Sequence, residues 1–169
     1  MNPLEDELNT LYPLIDQEIL AYDQLIEEMT RESEYLRQGS TESLMKTVKG
    51  IEHYVEKILG IESSVQKTIA KILNTLGRGE MGQTLTNILS LLPQHYRPKV
   101  EAYRKKLVRQ KDWIRQINEG NKSFIQEYLG ILKELTSSLI QPAIESPGYL
   151  RTGHQRALSC LPYALNREV

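Results

Sequence analysis

The three histidines, His53, His95 and His154, are the side chains best suited to metal binding or proton transfer, and their spacing argues against both. They lie far apart, and none has a glutamate three residues before it, so the Glu-x-x-His pairs that build di-metal sites in helix bundles are absent. The lone Cys160 has no second cysteine for an internal disulfide or a thiolate metal site. Gly77-Arg78-Gly79-Glu80-Met81-Gly82-Gln83-Thr84 comes closer to chemistry, because spaced glycines before Ser or Thr can cradle phosphates. Gln83 stands where that loop needs lysine, however, and a heptad segment precedes it in place of a buried strand, so it reads as a connection between helices. Carboxylates are plentiful, but at helical spacing they describe a solvated face. The chain reads as a non-enzyme with no cofactor and no metal.

Two other stretches suggest recognition. Arg97, Lys99, Arg104, Lys105, Lys106, Arg109, Lys111 and Arg115 face only Glu101 and Asp112 as local acids, a pattern able to hold phosphates. The net charge is −1 and aromatic interleaving is sparse, so charge complementarity inside a bundle explains the stretch better than nucleic acid does. The second stretch is Asn118-Glu119-Gly120-Asn121, two amides and a glycine within an otherwise good helix. A polar side chain in a helical seam sets register, so Asn121 serves either helix alignment or a partner.

The element that positions these residues runs from Tyr96 to about Ile140. Val100, Tyr103, Leu107, Ile114, Ile117, Phe124, Tyr128, Ile131 and Leu135 recur at three- and four-residue intervals, with polar interruptions at Gln110 and Asn121. Ile125 and Leu132 flank this seam and widen the apolar stripe beyond what a two-helix contact requires. Phe124 and Tyr128 suit either the bundle core or a binding face.

Two further long helices are expected. From Leu4 to Gln38 the apolar rhythm holds through Leu8, Leu11, Ile15, Tyr22, Leu25, Met29 and Leu36, with the stable part beginning near Pro13, which lacks a backbone donor. Ten acidic residues between Glu5 and Glu34 stand against the single basic Arg31, and require solvent or a basic neighbour. Gly39, Ser40 and Thr41 mark a break. Thr41 to Leu76 follows, with Leu44, Val48, Ile51, Val55, Ile58, Val65, Ile69, Ile72 and Leu76 in strict heptads broken only by Glu62. A short amphipathic helix through Leu85, Ile88, Leu89 and Leu92 ends at Pro93.

The fold class is therefore all-α: an elongated antiparallel bundle of three long helices, ordered up-down-up, with a short connecting helix and an irregular C-terminal tail. Residues 1–141 form the bundle domain and 142–169 a flexible tail, where Pro142, Pro147, Gly148, Gly153 and Pro162 rule out a long helix. The tail retains Tyr149, Leu150, Leu158, Leu161, Tyr163 and Leu165, apolar enough to dock on its own bundle or on a partner. The longest apolar runs fall short of the ~20 residues that span a bilayer, and Met1 to Asp6 lack the features of a secretory signal. A cytoplasmic protein is expected.

These segments resemble the FlgN-type flagellar export chaperones over most of the chain. Leu25-Ile26 with Glu32, Tyr35-Leu36, Gly39-Ser40 and Leu44 is similar to the family's Leu-rich helix and Gly-Asp break, with serine in place of aspartate. Asn118-x-x-Asn121 followed by Phe124, Ile125 and Leu129 resembles the family's Asn-x-x-Asn and apolar helix. Tyr149-Leu-Arg-Thr-Gly153 and the closing Asn166-Arg167-Glu168-Val169 are similar to its Tyr-Gly-x-x-Gly segment and terminal Asp-Arg motif, with Leu150 replacing the first glycine. The resemblance implies a cytoplasmic chaperone that holds hook-associated proteins and passes them to the export gate, with no nucleic acid and no membrane insertion. It places client contacts at Asn118, Asn121, Phe124, Ile125, Tyr128 and Leu132, and an export-gate contact at Tyr149. A structural or adaptor coiled coil would show the same heptads, and a nucleic-acid binder would use the Arg97 to Arg115 face.

Overall fold

The computed structural model describes residues 3–140, with side chains through Ser138. They form α1 (Pro3–Gln38), α2 (Thr41–Thr75), a short α3 (Leu85–Leu91) and α4 (Arg97–Ile140), with no strand among the described residues. The expected all-α class, with three long helices and a short connector, is the observed one. The expected tail, Pro142 to Val169 with Tyr149, lies outside the described residues. The chain divides into two compact units, Met1–Gln126 and Glu127–Val169.

In the first unit, α1 and α2 form an antiparallel pair. Thr75 Oγ1 donates to Glu7 Oε1 near one end, and Tyr22 donates from its hydroxyl to Glu62 Oε1 further along. Both ends of this hairpin are closed by paired backbone bonds that satisfy carbonyls a helix otherwise leaves unpaired. After α1, Ser40 N–H donates to Tyr35 O and Gly39 N–H to Leu36 O; after α2, Arg78 N–H donates to Leu73 O and Gly77 N–H to Asn74 O. Each closure needs a residue at positive φ, supplied by Gly39 and Gly77, both at φ 68°. Gly77 thus belongs to a helix terminus. At Gly50 a Cβ would come 3.2 Å from Glu28 Oε2 on α1, so a larger residue there requires that side chain to give way slightly.

α4 runs parallel to α1. Tyr12 stacks near Tyr103, with ring centroids 5.9 Å apart, Gln110 Nε2 donates to Ile19 O, and Asn121 Nδ2 donates to Glu32 Oε2. The order of contacts rises along both helices, which gives the expected up-down-up course.

Burial is uneven along the unit. Leu8, Leu11, Ile15, Ile69, Ile72, Leu73, Ile88, Leu92 and Val100 are fully buried where the start of α1 meets the end of α2, α3 and the start of α4. α3 is anchored there because Thr84 Oγ1 accepts from Asn87 N–H and its apolar face supplies Ile88. This clustering corrects two expectations. α1 is helical from Pro3, ahead of Pro13, because burial of Leu4, Leu8 and Leu11 outweighs one absent backbone donor: each buried leucine contributes about 1.5–3 kcal/mol. The heptad row of α2 is not packed throughout, since Val48 and Val55 are 38% and 41% exposed.

Candidate functional site

α4 carries most of the residues singled out from the sequence, and in the first unit two buried amides fix its position against α1. Gln110 Nε2 donates to Ile19 O at 2.9 Å and to Asp23 Oδ1 at 2.6 Å. Asn121 Nδ2 donates to Glu32 Oε2 at 2.9 Å, and Asn121 Oδ1 accepts from Ser33 Oγ at 2.6 Å. Both ends of the Asn121 amide are therefore engaged within the bundle. Asn118, one turn earlier, is exposed, Phe124 is half-buried, and Ile125 is 42% exposed.

In the second unit the helix continues with Tyr128, Leu129, Ile131, Leu132 and Leu135, all large, apolar and exposed. Tyr128, Ile131, Leu132 and Leu135 fall at three- and four-residue spacing on one face, opposite Gly130, Lys133, Glu134 and Ser137. Sequence periodicity alone had assigned Tyr128 to either core or binding face, and Ile131 and Leu135 to the packing seam; all three are accessible. A row of this kind covers no bundle core and suits an apolar partner. The seventh candidate, Tyr149, lies outside the described residues.

A second cluster links the three long helices of the first unit. Lys111 Nζ on α4 lies 2.9 Å from Glu62 Oε1 on α2, which also accepts from the Tyr22 hydroxyl of α1 at 2.9 Å. Lys111 Nζ is also 5.4 Å from the centre of the Tyr22 ring. Glu18, one turn before Tyr22, is only 3% exposed. Burial pushes its carboxyl up to about 7, against the pull of Lys111 and with a further push from Glu62. The phenol of Tyr22 is pushed up to about 12 by burial and by its hydrogen bond to Glu62. Burial raises Glu62 too, but its hydrogen bonds from Lys111 and Tyr22 outweigh that and hold it below the usual carboxylate range. Sequence reasoning missed Glu18, although its place between Ile15 and Tyr22 on the apolar rhythm was a signal.

The basic start of α4 is mostly paired locally. Arg104 and Lys105 meet Glu101, and Arg115 meets Asp112, all within the helix. Across helices, Lys106 reaches Asp23 at 3.7 Å and Lys99 sits 3.7 Å from the centre of the Tyr12 ring. Charge complementarity with α1 is thus present but narrower than the sequence implied. Arg104, Lys105 and Arg115 are thus paired within α4 while Lys99, Lys106 and Lys111 meet α1 or α2, and the accessible apolar side chains of α4 are the better candidate for binding.

A family model described as FlgN protein matches residues 1–157 of the chain. No curated protein and no solved structure matches it.

Proposed function

We propose that this chain, which belongs to the FlgN family of flagellar export chaperones, binds hook-associated proteins in the cytoplasm and delivers them to the export gate. The family consists of chaperones and not enzymes. The observation that carries the proposal is the set of exposed apolar side chains on α4: Ile125 in the first unit, and Tyr128 and Leu132 in the second. An aggregation-prone amphipathic client segment gains by laying its apolar face on such a surface. Asn118 offers an exposed amide beside it and Phe124 a half-buried ring, while Asn121 holds that part of α4 on α1. Tyr149 and the segment 142–169 are assigned to export-gate contact. Among the described residues no helix is long and apolar enough to cross a membrane, which fits delivery to a membrane gate without insertion.

Calorimetric titration with the terminal segments of hook-associated proteins tests this reading. Saturable binding is expected for the wild-type chain, weakened when Ile125 and Leu132 are both replaced by aspartate. Absence of binding to every hook-associated protein would overturn the assignment, and undiminished binding by the folded double variant would overturn the face.

A further inference from the structure

The exposed valines of α2 have a counterpart on α4. Within the first unit the two helices meet where Lys111 Nζ lies 2.9 Å from Glu62 Oε1. Because α4 is parallel to α1 and α2 antiparallel to it, α2 and α4 run in opposite directions. Two heptad steps back from Glu62 reach Val55 and then Val48. Two steps forward from Lys111 reach Asn118 and then Ile125. A heptad drifts only ~20° around a helix, so each row keeps to one side. The rows come level in order, Val55 with Asn118 and Val48 with Ile125.

One heptad the other way on α2, Ile69 is sealed at 2% exposure. Beyond the ion pair the row opens: Val55 is 41%, Val48 38% and Ile125 42% exposed, and Asn118 is exposed as well. The seam between α2 and α4 is thus closed at one end and a groove with apolar walls at the other. Its rims differ in charge. Nearest the exposed rows stand Glu52, four residues on from Val48, on the α2 side and Lys122, four residues on from Asn118, on the α4 side, both exposed and neither in an ion pair among the described residues, while Glu56, Lys49 and Glu119 lie further round their helices.

We propose that this groove takes an amphipathic helix of the client, with basic residues along the edge that meets α2 and acidic residues along the edge that meets α4. Val48 and Val55 then form the second wall of the client site, opposite Ile125. This rests on the chaperone reading above and adds α2 to it. Rim charges of opposite sign orient the incoming helix, because a helix inserted the other way would set like charges against each other on both edges.

The test uses the full chain and the purified hook-associated proteins of the same genome. Val48→Asp with Val55→Asp should weaken client binding at least about tenfold, since charge replaces apolar wall at the buried centre of an interface. Helix content and unfolding midpoint should stay close to wild type. Lys122→Glu should weaken binding less, and its effect should fade in high salt. In a Cys160→Ser background, Val55→Cys should be alkylated readily in the free chain and at least about tenfold more slowly with client bound; this readout holds even if the aspartate variant unfolds. If the wild type binds and the folded aspartate variant matches it, or if bound client leaves the thiol unprotected, the groove is not the site while the chaperone reading stands. If the thiol is already shielded in the free chain, the chain itself or a second copy fills the groove and the proposal is wrong. If the wild type binds no hook-associated protein, both readings fall.

Discussion

Glu18→Gln should stabilise the protein, and by an amount that depends on pH. The Glu18 carboxyl is 3% exposed on α1, faces Lys111 and Glu62, and titrates at about 7 in place of its ordinary 4.5. A folded-state pKa above the unfolded value means that the native state holds the proton more tightly, so stability falls as pH rises from the unfolded to the folded value. At ~1.4 kcal/mol per pK unit, the ionised carboxylate costs the native state about 3 kcal/mol once pH exceeds 7. Below pH 4.5 the penalty disappears, and near pH 5 it is under about 1 kcal/mol. Glutamine keeps the shape and hydrogen-bonding capacity without the charge. The variant should therefore gain about 3 kcal/mol over wild type at pH 8 and little at pH 5. Urea midpoints of both proteins at half-unit steps between pH 5 and pH 8 measure the difference. If the two curves ran parallel, burial would not be raising this carboxyl and the reasoning would be refuted.

Other expectations can be checked with the same denaturation assay. Leu73→Ala should cost about 2–5 kcal/mol, because Leu73 is fully buried at the packed end of the hairpin and leaves a cavity. Pro13→Ala should stabilise α1 by about 1–3 kcal/mol, because Pro13 is exposed and lies inside the helix; an unchanged midpoint would mean that the start of α1 tolerates the missing donor at no cost. Ile125→Asp with Leu132→Asp should move stability by no more than about 0.5 kcal/mol, both sites being over two-fifths exposed, while calorimetry shows client affinity falling at least about tenfold.

The helices were legible because heptad spacing, Gly39 and Pro93 are local signals. Helix bounds, the up-down-up course and the place of α3 follow from them. Hydrophobic period says which face a helix would bury, but not whether another helix is there to bury it. Val48, Val55, Tyr128, Ile131 and Leu135 all keep the period, and all are exposed. The missing information is the supply of partners along the unit. At the separation between Ser33 and Asn121, 88 residues, the end of α1 at Gln38 comes level with Gln126, where the first unit ends. The same limit hid Glu18, whose burial depends on α2 and α4 closing over α1. Pro13 did not mark the start of the helix for the converse reason: tertiary burial of Leu4, Leu8 and Leu11 overrode a local preference.

Register ties the two ends of the first unit together. An apolar seam is nearly indifferent to sliding one helix by a heptad, because large aliphatic side chains recur at each step. Asn121, about three turns beyond Gln110 on the same side of α4, is not indifferent. A heptad slip would carry Asn121 from Glu32 and Ser33 to the level of Leu25 and Ile26, whereas Gln110 would pass from Ile19 O and Asp23 to the level of Tyr12 and Asp16, where a carbonyl and an aspartate again stand. Asn121, left without its partners, would lose about 1–3 kcal/mol. Gln110 carries a cost in the native register itself, since its Oε1 is buried without a hydrogen bond among the described residues. The same register brings Asn118 level with Val55 and Ile125 level with Val48. By holding α4 on α1, Asn121 determines which side chains line the open end of the bundle.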